Sequence, residues 1–282
     1  MHEQINKAAV LVEALPYMQK FRGKTFLIKV GGSAMEDDQL VRKLMRDIVF
    51  MEVVGINPVL VHGGGKAISK AMRDAGLEAE FVNGQRVTSN DAISIVEQTL
   101  SNEVNPALVE KLKAYDGKAI GLSGREVFVA ERVPELGSVG RVSACNTQIL
   151  QALVSSEHVP VVSPVASEVS SGAPLNVNAD LAASALAAHL KVDKLIYLSD
   201  VLGVMRDPAD PGSLINTITS AESESLIAEE VITGGMIPKV RSATEALGAG
   251  VEKVHLIDGR IPHSLLLEVF TKGGIGTQII QT

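Results

Sequence analysis

The feature that most limits what this chain can fold into is a unit written twice in its first quarter. Thr25-Phe26-Leu27-Ile28-Lys29-Val30-Gly31-Gly32-Ser33 is a short apolar run that stops in paired glycines. Residues 37–54 then carry apolar side chains at helical spacing (Leu40, Leu44, Ile48, Met51). Asn57-Pro58-Val59-Leu60-Val61-His62-Gly63-Gly64-Gly65 repeats the layout, followed by a helical pattern from Lys66 to about Ala75. Successive strand–helix units of this kind share one parallel sheet, which puts both glycine turns at its carboxyl edge, where ligands bind. Glycine-turn N–H groups and a helix N-terminus together suit an anion. Lys29 interrupts a strand that is otherwise apolar. It either reaches the anion held by the glycines or snorkels to water from the strand end. Neither turn is a nucleotide fingerprint: Leu60 stands where a Walker A motif needs glycine, Ala67 follows Gly65-Lys66, and Ile68 breaks G-x-G-x-x-G. His62 reads as a hydrogen-bonded structural residue.

Composition narrows the class. Aromatics are 3% of the 282 residues and tryptophan is absent, so the core is built from Ala, Val, Ile and Leu, as in helix-covered parallel sheets. With 26 basic against 33 acidic residues, the charge of −7 argues against nucleic acid and leaves room for a small anion held by local cations. Cys145 is the single cysteine, which excludes an intrachain disulfide and a cysteine zinc cluster; it reads as a small hydrophobe. No apolar stretch is long enough to span a membrane. An N-terminus carrying Glu3 and Glu13 does not read as a secretory signal, so the expected compartment is cytoplasmic and no membrane partner is expected.

The rest of the chain adds candidate residues. Residues 3–21 form an amphipathic helix with Pro16 inside it, where a kink or restart is expected. Its apolar face either packs on its own domain or seeks another subunit. Arg86 precedes a helix capped by Ser89 or Asn90, and its fork suits a carboxylate, though a solvated arginine is the commoner case. Helices are expected at 91–102 and 105–114, and a β-rich flap from Lys118 to Val142. Asn176 and Asn178 project to one side of an extended segment, and Asp180 falls in the first turn of an alanine-rich helix capped by Asn178. The strand from Lys194 ends in Ser199-Asp200. Lys239 sits in the first turn of a helix after Gly234-Gly235-Met236-Ile237-Pro238, where a cation opposes the helix dipole and suggests work on an anion.

Six motifs now stand in order: Lys29-Val-Gly-Gly-Ser33, His62-Gly-Gly-Gly65, Asn83-Gly-Gln-Arg86-Val-Thr88, Asn176-Val-Asn-Ala-Asp180, Ser199-Asp200-x-x-Gly203-Val204 and Gly234-Gly-Met-Ile-Pro-Lys239. Together they resemble the N-acetylglutamate kinases of the amino-acid-kinase superfamily, from about Pro16 to Ile280. The resemblance implies a three-layer αβα sandwich around a mainly parallel sheet, the carbamate-kinase-like fold, with a kinked N-terminal helix. It implies one domain: an oligomerisation helix (1–22), an acylglutamate lobe (23–180) and a nucleotide lobe (181–282). It also implies phosphorylation of the side-chain carboxylate of N-acetyl-L-glutamate by ATP, the second step of arginine biosynthesis. By that resemblance Lys29 and Lys239 stabilise the transition state and Asp180 holds both. Gly64, Gly65, Arg86 and Asn176 contact the acylglutamate, while Gly32, Ser199, Asp200, Gly203 and Gly235 hold nucleotide. No carboxylate cluster marks a protein-built metal site, so Mg²⁺ is expected to arrive on ATP.

The N-terminal helix and the ending Ile257-Asp258-Gly259-Arg260-Ile261-Pro262-His263 through Glu268 resemble the arginine-inhibited branch. This implies hexamers, trimers of dimers joined through N-terminal helices, with Tyr17, Lys194, His263 and Glu268 around arginine. A PII-type nitrogen-signalling protein is a further partner in some members. Two positions depart from the family pattern: Lys66 where many relatives carry proline, and Gln85 before the arginine. The competing readings are a sister kinase acting on acetylaminoadipate or aspartate, and a non-catalytic arginine sensor; retention of Lys29, Lys239 and Asp180 speaks against the sensor. Deleting residues 1–20 is expected to abolish both the hexamer and arginine inhibition, read by light scattering and by turnover with added arginine. A truncated protein that is still hexameric and still inhibited contradicts that assignment.

Overall fold

The computed structural model describes residues 1–82 and 84–281; Asn83 of the third motif lies outside the described residues. The chain opens with α1 (His2–Phe21), β1 (Thr25–Val30), α2 (Asp38–Val53), β2 (Asn57–His62) and α3 (Gly65–Asp74). A small hairpin, β3 (Phe81–Val82) and β4 (Gln85–Arg86), leads into α4 (Asn90–Glu97), a π-helical stretch over 98–104 and α5 (Asn105–Lys113). Then come β5 (Ala119–Leu122), β6 (Phe128–Arg132), β7 (Gly140–Cys145), α6 (Thr147–Ser155), β8 (Val159–Val162), β9 (Val165–Glu168) and β10 (Pro174–Asn176). The last part holds α7 (Ala179–Leu190), β11 (Lys194–Ser199), β12 (Thr217–Thr219), α8 (Ser220–Ala228), α9 (Met236–Gly248), β13 (Lys253–Asp258), α10 (Ser264–Phe270) and β14 (Thr277–Ile280).

Eight strands form the main sheet in the order β12-β14-β13-β11-β1-β2-β8-β5, parallel throughout except for the β13–β14 pair. Strand alternation divides its side chains between two cores. Phe26, Ile28 and Val30 face a layer that includes α2, α5 and α10, whereas Leu27 faces α6, α7 and α9. Lys29 follows Leu27 onto the second face by the two-residue period. The alanine-rich sequence of α7 (Ala182, Ala183 and Ala187, all buried) lets that helix approach the sheet closely. The stretch from Lys118 to Val142 is not one flap: β5 joins the edge of the main sheet, and β6 with β7 joins β9 and β10 in a second sheet of order β10-β9-β6-β7.

Three other expectations need correction. The first helix does not restart at Pro16; it runs unbroken from His2 to Phe21, forgoing only the N–H that proline lacks. The pair expected at 91–102 and 105–114 is one helical path whose middle widens to π geometry, because Pro106 falls near the start of α5, where its missing N–H is tolerated. The last apolar helix starts at Ser264 and not at Pro262, because His263 takes a left-handed backbone (φ 61°).

Connections from β1 pass to one side through α2 and β2, while β11 is laid on its other side after α7. The crevice at the carboxyl ends of β1 and β11 is therefore the sheet's switch point, where open α/β sheets hold ligands. Among the described residues no helix is long and apolar enough to cross a membrane.

Candidate active site

Lys29 is the fifth residue of β1, in register with Val61 of β2 and Tyr197 of β11, and only 6% exposed. Its side chain turns back over Gly31: a Cβ built on that glycine would occupy the space of the Lys29 amine. Gly32 follows with φ +62°, a left-handed backbone that glycine adopts without strain. The turn after β2 lies against this one, with Gly63 N donating to Val30 O at 2.7 Å. The N-terminus of α3, starting at Gly65, opens beside both turns.

Asp180 is the second residue of α7. Asn178 caps that helix, its Oδ1 accepting from Asp180 N (2.9 Å) and Leu181 N (3.3 Å). The Asp180 carboxylate is shared between the two lysines, with Lys29 Nζ 2.8 Å from Oδ1 and Lys239 Nζ donating to Oδ2 at 2.7 Å. Burial pushes this carboxyl's pKa up, but the charges of Lys29 and then Lys239, with their hydrogen bonds, outweigh it and hold the pKa below the ordinary range. Two ammonium groups on one carboxylate leave an excess positive charge in a half-enclosed cleft, an arrangement that favours a bound anion.

Two clefts meet at this triad. One, of about 190 Å³, is lined by Lys29, Gly64, Gly65, Arg86, Asn176 and Asp180. The other, of about 330 Å³, is lined by Asp200, Gly203, Val204, Gly235, Met236 and Lys239. The sequence-predicted acyl residues thus fall in one cleft, with Gly32 beside them, and most of the nucleotide residues in the other. Ser199 stands apart: its buried hydroxyl donates within the strand-end turn, to Val201 O (3.2 Å) and Ile257 O (3.4 Å), and does not line the second cleft.

Arg86, on β4, is buried against α3. Nη2 donates to Gly65 O (2.9 Å) and Ser69 Oγ (2.7 Å), and the guanidinium lies over the Phe81 ring, 4.7 Å from its centroid. Burial lowers its pKa, yet a guanidinium keeps its proton. Asn176 Nδ2 donates to Thr88 Oγ1 (3.0 Å), fixing the amide at the cleft wall. Asn178, expected to face the ligand with Asn176, spends its side-chain oxygen on the cap. His62 is structural, as expected: it is fully buried, Nδ1 donates to Gly63 O (2.8 Å), and Nε2 accepts from Asn105 (3.2 Å). Burial lowers its pKa to about 4. Lys66 pairs with Glu36 (2.5 Å) at the rim of a wider groove of about 920 Å³ beside Gly64 and Gly65.

The four residues assigned to arginine split into two groups. Lys194 donates to His255 Nε2 (2.9 Å), and His255 Nδ1 donates to Glu268 Oε1 (2.6 Å). Ile275 N and Gly276 N also donate to Glu268. A lysine donating to one ring nitrogen requires that nitrogen to be an acceptor, so His255 is neutral, in accord with the lowering of its pKa by burial. Burial also lowers the Lys194 pKa, to about 8, and its amine lies 5.2 Å from the Phe21 ring centroid. Tyr17 lies one turn before Phe21 on α1. His263 instead meets Asp47 of α2 (2.6 Å). Sequence reasoning missed His255, Ser69 and Glu36, whose roles come from distant partners and leave no local pattern.

The model of the amino acid kinase family matches residues 24–258. The chain belongs to the amino acid kinase family. It is 58% identical to a protein named acetylglutamate kinase from Akkermansia muciniphila, over 98% of this chain and 96% of that one. It is 46% identical to a protein of the same name from Aquifex aeolicus, over 99% of each. Among solved structures, N-acetylglutamate synthase from Neisseria gonorrhoeae, complexed with coenzyme A and N-acetyl-glutamate, superposes with a TM-score of 0.86 at 25% identity. That match covers 98% of this chain and 63% of the synthase. Carbamate kinase from Giardia lamblia bound to AMP-PNP (TM-score 0.69, 20% identity, 92% of this chain and 99% of that one) shares the fold.

Two outcomes follow from the geometry. Gly31→Ala should displace the Lys29 amine and cut turnover by about 10²-fold, the scale for a misplaced catalytic group, with the melting temperature little changed; wild-type turnover would contradict the packing argument. A carboxyl whose folded pKa is depressed contributes stability above its unfolded pKa, 3.8, and loses it as pH falls through the folded value. The difference in urea stability between the wild type and Asp180→Asn should therefore be flat from neutral pH down to about pH 5 and shrink only in stronger acid. A difference that vanishes near pH 6 would contradict the assignment.

Proposed function

We propose that this chain transfers the γ-phosphoryl group of ATP to the side-chain carboxylate of N-acetyl-L-glutamate, giving an acyl phosphate and ADP. The observation that carries the reading is the meeting of Lys29 and Lys239 on Asp180 between two clefts. The acceptor, with a reference pKa of ~4.3, is ionised at neutral pH and needs no general base. A carboxylate oxygen attacks the γ-phosphorus as its bond to the β–γ bridging oxygen breaks, so the task is to align two anions and neutralise charge on the group in flight. Lys29 approaches from the acyl cleft and Lys239 from the nucleotide cleft, and Asp180 fixes both without taking a proton. Gly32 and the Gly63–Gly65 turn offer backbone donors to phosphate oxygens. Arg86, anchored by Gly65 and Ser69, presents its remaining donors to a substrate carboxylate. Asn176 orients the acylglutamate. Asp200, Gly203 and Gly235 hold nucleotide, with Ser199 shaping the turn before them.

Both Asp180 oxygens are engaged by lysines, so this carboxylate fits a lysine clamp better than a metal ligand. The Mg²⁺ that accompanies ATP would be held by phosphate oxygens and water, and it adds positive charge at the transferring group. Residues 23–180 supply the acyl lobe and 181–282 the nucleotide lobe, with β1 and β11 at their junction. For assembly, α1 leaves Ile5, Val10, Leu11, Val12 and Leu15 exposed, which supports its use as a contact between subunits in a hexamer. Arginine would act through the Lys194–His255–Glu268 chain and the adjacent end of α1, with Tyr17, and through His263.

An ATP-dependent hydroxylamine trap for acyl phosphate, run with acetylglutamate, glutamate, aspartate and acetylaminoadipate, tests the reaction. Hydroxamate should form chiefly with acetylglutamate, and strongest formation with another acceptor would overturn the substrate assignment. Lys29→Ala and Lys239→Ala should each lower turnover by about 10²–10³-fold, the loss of one preorganised charge stabiliser. Near-normal turnover in either variant contradicts its role.

A further inference from the structure

We propose that Tyr197 and Ser242 are positioning residues for phosphoryl transfer, fixing through the Asp180 main chain the spacing between the helix that carries Asp180 and the helix that carries Lys239. The proposal rests on the kinase reading above and extends it to two residues outside the clefts. Tyr197 sits in the middle of an apolar strand, fully buried, directly beside Lys29 in register. Phenylalanine would fill the same volume, and the hydroxyl is the part of the ring that burial disfavours unless it is bonded.

The bonds it makes are specific. Tyr197 OH lies 2.9 Å from Ser242 Oγ and 3.3 Å from the carbonyl oxygen of Asp180, and Ser242 Oγ lies 3.4 Å from that same oxygen. Two hydroxyl protons serve these three edges. Either tyrosine donates to serine and serine to the carbonyl, or serine donates to tyrosine and tyrosine to the carbonyl. In both arrangements the Asp180 carbonyl, inside the first turn of α7, accepts with its second lone pair. A further tie runs from Ser184 Oγ on α7 to the Ser242 carbonyl at 2.8 Å.

The consequence lies in helix periodicity. Ser242 is three residues after Lys239 on α9, on the same face, so pinning Ser242 to Asp180 sets the depth and rotation at which α9 delivers Lys239. The Lys239–Asp180 ion pair alone would allow a flexible lysine to follow either helix. The buried hydroxyl pair removes that freedom and leaves the amine aimed where the phosphoryl group passes.

Tyr197→Phe keeps the ring and removes only the oxygen, and Ser242→Ala is an independent cut of the same tie. Each should lower kcat by about 10-fold, the scale of a modest misplacement, while KM for both substrates stays within about 2-fold. Tyr197→Phe leaves the Ser242–Asp180 edge and Ser242→Ala leaves the Tyr197–Asp180 edge, so the double variant, which loses all three, should be at least as impaired as the worse single one. A readout without turnover is the rate at which limiting acetic anhydride acetylates Lys239, mapped by mass spectrometry against Lys194 as reference. That rate should rise several-fold at Lys239 and stay fixed at Lys194. Unchanged kcat with an unchanged Lys239 rate overturns the proposal, and so does an equal rise at both lysines, which would mean general loosening. If the wild type forms no acyl phosphate, the kinase reading fails, and the acetylation rates still decide the positioning role by themselves.

Discussion

Two ammonium groups held by a single half-buried carboxylate are the constraint around which this molecule is arranged. In water such a cluster is worth little, but in a half-enclosed cleft walled by sheet and helices its surplus positive charge is less screened by solvent. Every element nearby can be read as a means of assembling it. β1 delivers Lys29 onto the face that α7 covers, Gly31 clears the space into which that amine folds, and the Asn178 cap starts α7 just ahead of the carboxylate, two residues before it. α9 then brings Lys239 from fifty-nine residues away in sequence. An anion entering from either cleft completes the charge balance.

The scaffold isolates this cluster from the rest of the chemistry the chain could perform. Cys145, the single thiol, is held well up at about 12 by burial and is inert. His62, at the sheet edge, is buried neutral and bonded on both ring nitrogens, so it relays no proton there. What remains at the carboxyl edge is fixed positive charge and backbone N–H groups, the equipment for moving a phosphoryl group between oxygen anions. The polar groups beneath the site, Tyr197 with Ser184 and Ser242, join the helices that carry the charged ones.

Much of this was legible in the sequence because glycine turns and misplaced lysines leave local marks. Strand, glycines and helix gave the parallel sheet and its carboxyl edge. A lysine inside β1 and another against the dipole of α9 marked the two cations, while Asp180 as their anchor came from the family resemblance alone. What escaped was whatever depends on a distant partner. Tyr197 looked like one more apolar strand residue, since nothing adjacent reveals that Ser242 waits above it. Ser199 was assigned to nucleotide by resemblance, and no local pattern showed that its hydroxyl turns inward to the neighbouring β13. His255 lies in an apolar strand and only the fold sets it between Lys194 and Glu268. The restart at Pro16 and the break before α5 were misjudged for a different reason: local rules say where a helix is disfavoured, and packing against α10 and α3 decides whether it continues anyway.

The most direct measurement is a crystal structure of the protein with ADP, aluminium fluoride and N-acetyl-L-glutamate, the fluoride standing in for the phosphoryl group midway. Lys29 Nζ and Lys239 Nζ should each lie within about 3 Å of the planar fluoride, on different sides of it, with both still touching Asp180. An analogue bound elsewhere, or bound with either amine turned away and its place taken by another residue, would contradict this arrangement.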